Sequence, residues 1–203
     1  MTVAGWGEPP AAPAPEAGEV DVWLLDRAAP RPLETIAARY LGRRPDDVVV
    51  ARSPAGKPAV EGSPYAFSLA HSGEVALVAV GTGNVGVDVE AARPGVDGWT
   101  LVGHVFTAAE QDRLAAVPGS ERSEAVLAAW SRKEALLKAV GVGLVIDPRL
   151  VELDGERVVA VPTAAGTAAD WTILDLTLPG HVGAVARHGA IAALRRYRLA
   201  GAA

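Results

Sequence analysis

The sequence predicts an α+β fold with mostly antiparallel sheets, and three observations carry that prediction. Helical and strand-like patterns are grouped along the chain and do not alternate regularly, as they would in a parallel α/β sheet. Each half of the chain has a helical segment followed by several short strand patterns. Half of the 203 residues are apolar, which allows a substantial core in one large domain or in two small fused ones.

The elements of the first half follow from apolar runs and turn residues. Residues 1–19 are rich in Ala and Pro and predict a disordered leader. The apolar run Val20–Leu25 predicts a strand, and Leu33–Leu41 predicts a short helix that ends at Gly42. Further strands are predicted at residues 48–51, 67–69, 75–80 and 86–90, with turns at 53–58 and 81–84.

The second half begins with a helix signal. Thr107 is followed three residues later by Glu110, which is the spacing of a capping box. A longer helix is predicted from Ser123 to Val140, ending at Gly141. Strands are predicted at residues 148–153, 157–161, 172–178 and 182–186, followed by a tail at 191–199. Residues 71–76 and 181–186 are similar in sequence, which either a duplication or chance similarity in an Ala-, Val- and Gly-rich chain explains.

The composition argues against several classes of function. The formal net charge is -5, so the chain lacks the basic footprint of a general nucleic-acid binder. It has no cysteine, which excludes disulfides, thiolate metal sites and cysteine nucleophiles and is consistent with a cytoplasmic location. The sequence contains no run of about 18 apolar residues, so we expect no membrane-spanning segment.

Two carboxylates lie on one face of the predicted strand at residues 86–90. Because side chains alternate along a strand, Asp88 and Glu90 point to the same side and lie about 7 Å apart. Such a pair is either the solvated face of an edge strand or part of a site for a hard cation such as Mg²⁺.

A further candidate cluster lies on the predicted long helix. At helical spacing Trp130, Glu134 and Lys138 share one face. Glu134 and Lys138 have two interpretations. They form an ordinary surface ion pair, or Glu134 is a metal ligand or general base and Lys138 contacts a phosphate. Two other candidates have equally plain alternatives. His71 at a strand end is either structural or a phosphate contact, and Lys57 is either an exposed turn lysine or a second such contact.

In this order and spacing, the segments resemble the 4'-phosphopantetheinyl transferase superfamily. Each motif alone is weak, whereas their joint order is specific, and together they cover roughly residues 48–145. The matching motifs are Gly56-Lys57-Pro58, Phe67 to Ser72, Gly86 to Glu90, Phe106 with Glu110, Trp130 to Ala135 with Lys138, and Gly143-Leu144. Two separated motif blocks in a chain of this length resemble the larger, Sfp-type branch of the superfamily.

The resemblance implies a monomer of two similar halves, each a helix packed on a mostly antiparallel sheet, related by pseudo-two-fold symmetry. On this basis we expect an N-terminal half at residues 20–98 and a C-terminal half at 99–203, with the site between them. It also implies Mg²⁺-dependent transfer of 4'-phosphopantetheine from coenzyme A (CoA) to a serine of an apo acyl, peptidyl or polyketide carrier protein. The second product would be 3',5'-ADP.

The family's metal and base residues carry over to positions of this sequence. The resemblance implies that Asp88, Glu90 and Glu134 hold Mg²⁺, or alternatively Mn²⁺, with the CoA pyrophosphate. Glu134 would also act as, or position, the base that deprotonates the carrier serine. Lys138 would neutralise the pyrophosphate or the leaving group.

The CoA-binding residues implied by the resemblance are Lys57, His71 and Ser72, with Lys57 and His71 on the 3'-phosphate side. Two departures affect this part of the site. Family members usually carry an Arg-rich stretch in the first helix, and the basic residues here, Arg27, Arg31 and Arg39, do not align with it. In addition, Ala70 stands where a Ser is common. Two other functions therefore remain open, a CoA- or nucleotide-binding protein with weak or lost transfer and a structural protein with a solvated acidic surface.

Overall fold

The computed structural model describes residues 5–92, 99–141 and 146–199. The helices are α1 (Pro32–Leu41), α2 (Trp99–Val105), α3 (Ala108–Ala115) and α4 (Gly119–Val140). The strands are β1 (Glu19–Asp26), β2 (Val50–Arg52), β3 (Pro58–Val60), β4 (Ala66–Ser72), β5 (Val75–Gly81), β6 (Val85–Ala91), β7 (Glu152–Asp154), β8 (Arg157–Ala160), β9 (Trp171–Leu178), β10 (His181–His188) and β11 (Ala193–Arg198). No helix in these ranges is long and apolar enough to cross a membrane.

Two larger sheets form the body of the molecule. One has the strand order β11-β1-β5-β4, and the other has the order β6-β10-β9. All neighbouring strands run antiparallel except β1 and β11, which are parallel. Two small hairpins, β2–β3 and β7–β8, lie outside these sheets. The prediction of an α+β fold with mostly antiparallel sheets is therefore confirmed.

The order of elements repeats along the chain. A strand, a helix, a small hairpin and a large hairpin follow one another as β1, α1, β2–β3 and β4–β5, and again as β6, α4, β7–β8 and β9–β10. The sheet orders β1-β5-β4 and β6-β10-β9 correspond in the same way. A pseudo-two-fold axis between the halves stays a prediction. The repeat begins again at β6. The boundary between the halves at residues 98 and 99 stays a prediction, and residue 98 lies outside the described residues.

Side-chain hydroxyls join the two large sheets where β4 passes β6. The Val87 amide donates to Ser68 Oγ at 3.1 Å, and the Ala91 amide donates to Ser72 Oγ at 3.0 Å, each across a sequence separation of 19 residues. The constant separation means that β4 and β6 run side by side in the same direction. Serine oxygens thus satisfy amides of β6 that no strand on this side pairs with.

The segment before β1 packs against the fold, in contrast to the predicted disordered leader. Trp6 is buried, and its indole N–H donates to the Thr177 carbonyl oxygen at 3.4 Å. The Gly7 amide donates to the Arg196 carbonyl at 2.9 Å, which attaches this segment to β11. The prediction rested on composition, and composition does not reveal that the rest of the chain offers a pocket for one tryptophan.

Close packing of small residues brings α4 against the second sheet. Ala135 and Ala139 on α4 belong to one buried cluster with Ala184 and Ala186 of β10. Small side chains at these positions allow the helix and the sheet to approach closely. The predicted long helix is confirmed, although it begins at Gly119, four residues before the predicted start.

Candidate active site

The cavity between the two sheets has a volume of about 540 Å³. Its walls come from β4, β6, α4 and the turn that connects β2 to β3. The lining residues are Arg52, Ala55, Gly56, Lys57, Pro58, Ser68, Leu69, Ala70, His71, Asp88, Val89, Glu90, Glu134, Lys138 and Gly141. Six of the seven site residues predicted from the sequence line this one cavity, and Ser72 is the exception.

Gly86 determines how closely β6 approaches α4. A Cβ atom at Gly86 would overlap the Ala135 carbonyl oxygen and the Ala139 nitrogen of the helix. The backbone of Gly86 does not have a positive φ, so the need for glycine here is one of space. This close contact positions Asp88 on the strand opposite Glu134 and Lys138 on the helix.

Asp88 is almost completely buried beside a lysine. It is 5% exposed, and its Oδ1 accepts a hydrogen bond from Lys138 Nζ at 2.7 Å. Burial raises the pKa of Asp88 to about 6, although the charge of Lys138 acts in the opposite direction. The other oxygen, Oδ2, is buried and has no hydrogen-bond partner within the described residues. An uncompensated carboxylate oxygen in such a place is costly unless a cation or a donor binds there.

Glu134, like Asp88, has a carboxylate oxygen that is buried and unpaired among the described residues. Its Oε1 is buried without a hydrogen-bond partner among the described residues. Burial raises the pKa of Glu134 to about 7, Lys138 lowers it, and the charges of Asp88 and Glu90 raise it further. A carboxyl group with a pKa near neutrality can exchange protons at physiological pH.

Glu90 is held by Ser72. The Ser72 hydroxyl donates to Glu90 Oε2 at 3.2 Å, while its oxygen accepts from the Ala91 amide at 3.0 Å. The hydroxyl therefore fixes a carboxylate of β6 from the neighbouring strand β4. Ser72 was predicted as a CoA contact, but its hydroxyl is turned toward Glu90 and the residue does not line the cavity. No local sequence pattern indicates this hydrogen bond between Ser72 and Glu90.

The three predicted metal ligands fit a divalent cation in their chemistry. Across residues 5–92, 99–141 and 146–199, no group of three or more His, Asp or Glu side chains is arranged to hold a metal ion as the side chains stand. Asp88 and Glu134 nevertheless each present a buried carboxylate oxygen without a partner. Carboxylate oxygens are the ligands that Mg²⁺ prefers, and a positive charge would remove the repulsion between them.

Lys57 enters the cavity wall and contacts the end of α4. Its Nζ donates to the Ala139 carbonyl at 2.6 Å, and its aliphatic stem packs next to Gly141, where a Cβ would lie 3.1 Å from Lys57 Cδ. Burial lowers the pKa of Lys57 to about 8. His71 also lines the cavity and is exposed. The Gly143-Leu144 motif lies outside the described residues.

A family model matches part of this chain. The model of the 4'-phosphopantetheinyl transferase superfamily matches residues 84–186, about half of the chain. The chain belongs to this superfamily. The matched segment of this chain contains Asp88, Glu90, Glu134 and Lys138. The turn with Lys57 and the strand with His71 and Ser72 precede this segment.

Two proteins that are similar to this chain are named as 4'-phosphopantetheinyl transferases. The chain is 33% identical over 150 residues to the 4'-phosphopantetheinyl transferase HetI of Nostoc sp., an alignment that covers 71% of this chain and 62% of HetI. It is 36% identical over 137 residues to the 4'-phosphopantetheinyl transferase AcpT of Salmonella typhi, with 64% of each chain covered. The aligned part therefore spans less than two thirds of the length of either transferase.

Lys133, inside the transferase motif Trp130 to Ala135, has a role that the sequence analysis missed. Its side chain is completely buried, and Nζ donates to Glu110 Oε2 at 2.6 Å and to the Val151 carbonyl at 2.8 Å. The Phe106 ring lies 5.0 Å from the same ammonium. Two motifs that are separate in the sequence, Phe106 with Glu110 and Trp130 to Ala135, thus form one buried cluster through Lys133. Their joint occurrence in the sequence was the available signal.

Proposed function

We propose that this protein transfers 4'-phosphopantetheine from CoA to a serine hydroxyl of an apo carrier protein and releases 3',5'-ADP. The observation that carries the proposal is the convergence of Asp88, Glu90, Glu134 and Lys138 on one cavity, with two buried carboxylate oxygens unpartnered among the described residues. Membership of the superfamily and the names of HetI and AcpT support it.

In this reaction the serine oxygen attacks the phosphorus that bears pantetheine. A new bond forms between the serine oxygen and this phosphorus, and the bond to the oxygen that bridges the two phosphates breaks. The electron pair of that bond leaves with 3',5'-ADP. Glu134, whose carboxyl pKa burial raises to about 7, accepts the proton of the serine hydroxyl.

Asp88, Glu90 and Glu134 are the residues that would hold Mg²⁺. A bound divalent cation would neutralise negative charge on the pyrophosphate and polarise its phosphoryl oxygens. Ser72 orients Glu90 for this purpose through its 3.2 Å hydrogen bond. Lys138 supplies a second positive charge, which is paired with Asp88 and which can neutralise the leaving phosphate.

The cavity also supports the proposal that the enzyme acts as a monomer. All of its walls come from one chain, with β4 and the β2–β3 turn on one side and β6 and α4 on the other. A carrier protein would have to present its serine to the carboxylate side of this cavity. Fatty-acid, polyketide and nonribosomal-peptide carriers all present such a serine, so a panel of carriers identifies the natural class.

A mass measurement tests the proposed function. An apo carrier protein incubated with CoA, Mg²⁺ and this enzyme is expected to gain the mass of one phosphopantetheine group. Asp88→Asn and Glu134→Gln should abolish the gain, and Glu124→Gln, on the exposed side of α4, should leave it unchanged. An undiminished gain with Asp88→Asn, or CoA binding without transfer to any carrier in the panel, would overturn the proposal.

A further inference from the structure

Ser131 lies on the face of α4 that packs against β6. Ala135 and Ala139 on this face lie against Gly86, and Ser131 precedes Ala135 by about one helical turn. The serine is completely buried, with an exposure of 0%. Because side chains alternate along a strand, Asp88 is on the same side of β6 as Gly86. Ser131 and Asp88 therefore lie on facing surfaces of the helix and the strand.

Each of these two side chains buries a polar atom without a partner. Ser131 Oγ and Asp88 Oδ2 have no hydrogen-bond partner among the described residues. A serine inside a helix can donate to the carbonyl oxygen four residues earlier, and Ser131 does not do so. Burial raises the pKa of Asp88, and the Ser131 hydroxyl, as a nearby donor, acts in the opposite direction. The hydroxyl is thus close to the carboxylate, although the hydrogen bond between them is not complete.

The other candidate ligand on β6, Glu90, has the same arrangement with a complete hydrogen bond. The Ser72 hydroxyl on β4 donates to Glu90 Oε2 at 3.2 Å. Each carboxylate that β6 contributes to the proposed cation site thus has a serine beside it, and each serine comes from a different neighbouring element. Hydrogen-bond donors in such positions orient the carboxylates that bind a metal ion.

Lys138 does not hold Asp88 equally well at every stage of the proposed reaction. Its Nζ donates to Asp88 Oδ1 at 2.7 Å, and the same ammonium group is proposed to neutralise the leaving phosphate. A lysine ammonium is a point charge on a flexible stem, so its bond to Asp88 weakens when it turns to a phosphate. A hydroxyl on the packed face of a helix stays in place and can keep the carboxylate oriented.

We propose that Ser131 is a positioning residue whose hydroxyl donates to Asp88 Oδ2 and orients this carboxylate for a divalent cation. This inference rests on the proposed function. Each carboxylate oxygen has two lone pairs, so an oxygen that accepts from the serine can still bind a cation. Ser131 does not belong to the residues that line the cavity, so it acts through Asp88 and touches neither the cation nor CoA.

Binding of Mn²⁺ in the presence of CoA tests this role without depending on turnover. Mn²⁺ takes the same oxygen ligands as Mg²⁺, and the paramagnetic resonance signal of the free ion falls as it binds. After correction for Mn²⁺ bound by CoA alone, Ser131→Ala should bind Mn²⁺ about 10-fold more weakly than the unaltered protein. The Mg²⁺ concentration that gives half of the maximal transfer rate should rise by the same factor. Ser123→Ala, at an exposed serine of α4, is the matched control and should change neither quantity.

Urea unfolding without divalent cations separates positioning from a structural role. A buried hydroxyl without a complete hydrogen bond costs folding free energy, so Ser131→Ala should have an unchanged or higher urea midpoint. A lower midpoint together with unchanged Mn²⁺ affinity would make Ser131 a structural residue, which overturns the inference and leaves the proposed transfer untouched. If the unaltered protein with CoA binds no Mn²⁺ beyond that bound by CoA alone, the proposed cation-dependent function fails, and the role of Ser131 fails with it.

Discussion

Lys138 Nζ lies 2.7 Å from Asp88 Oδ1 and joins the helix of the candidate site to its strand. Lys138 follows Glu134 by one helical turn, so a single ammonium group lies between carboxylates of α4 and β6. It lowers the pKa of both Asp88 and Glu134, although burial outweighs this effect for each. The lysine thus supplies part of the positive charge that these carboxylates need.

The first prediction concerns this lysine. Lys138→Met should reduce the rate of transfer by about 100-fold, because it removes a preorganised charge from a site where negative charge leaves. Lys138→Arg should retain more activity than Lys138→Met, since the charge remains. The measurement is the initial rate at saturating CoA and Mg²⁺. Equal rates for Lys138→Met and the unaltered enzyme would show that the lysine has no part in the transfer.

The second prediction concerns stability and pH in the absence of divalent cations. Burial raises the pKa of Glu134 from 4.5 to about 7 and that of Asp88 from 3.8 to about 6. At a pH between the pKa of such a group in the unfolded chain and its pKa in the folded protein, the native state holds a proton that the unfolded chain has released. Its free energy of unfolding must therefore fall as pH rises from roughly 4 to 7, by up to about 1.4 kcal/mol per pH unit for each proton.

Urea unfolding at several pH values measures this dependence. Glu134→Gln should reduce the slope because the amide does not titrate, and Glu124→Gln on the exposed side of α4 should not. Excess Mg²⁺ should reduce the fall, since a cation that binds the native carboxylates stabilises the folded state. The same slope in Glu134→Gln and in the control would contradict the raised pKa.

The third prediction concerns the contact of β6 with α4. Gly86→Ala should destabilise the protein by about 3 kcal/mol, because its Cβ would overlap the Ala135 carbonyl and neither backbone can move easily. Gly103→Ala in α2 is the matched control, because a Cβ at that position has no neighbour within 4 Å. The control should be neutral or more stable by about 0.5–1 kcal/mol, as for any glycine replaced inside a helix. Both changes are compared by urea unfolding, and equal effects would contradict the close approach.

The fourth prediction concerns the buried pair of Lys133 and Glu110. Removing one partner leaves a buried charge, so Glu110→Gln should destabilise the protein by about 3–5 kcal/mol. The double variant Lys133→Met with Glu110→Gln should cost less than the sum of the single variants. Arg157→Gln, which breaks an exposed pair with Asp154, should cost at most about 1 kcal/mol. Strict additivity of the two single changes would show that the pair is not coupled.

Much of the secondary structure could be predicted from local pattern. The strand over Val20–Leu25 and the helices begun by Leu33 and Thr107 are present, and Thr107 forms the predicted capping box with Glu110. Strand β11 was described as a tail, because its partner β1 is far away in sequence. Helix α2 and strand β3 were not predicted, since α2 has seven residues and contains a glycine, and β3 has three residues and begins at a proline.

The candidate site shows the same division. Alternation along β6 predicted a shared face for Asp88 and Glu90, and helical spacing along α4 predicted one for Glu134 and Lys138. All four residues line one cavity. The sequence could not reveal that Ser72 turns to Glu90, that Lys57 caps α4 or that Arg52 lines the cavity. Each of these facts depends on which strand or helix lies opposite, and that neighbour is distant in sequence.

By itself, then, the sequence determined the grouping of elements, the acidic strand and the helix that bears Glu134, because these depend on periodicity and on residues close together in the chain. The tertiary structure alone decided the division of the sheets at β6, the burial of Trp6 and the partners of each charged side chain. The physical reason is that the free energy of a charge depends on its burial and on the groups around it. These properties arise only when the two halves of the chain meet at the cavity.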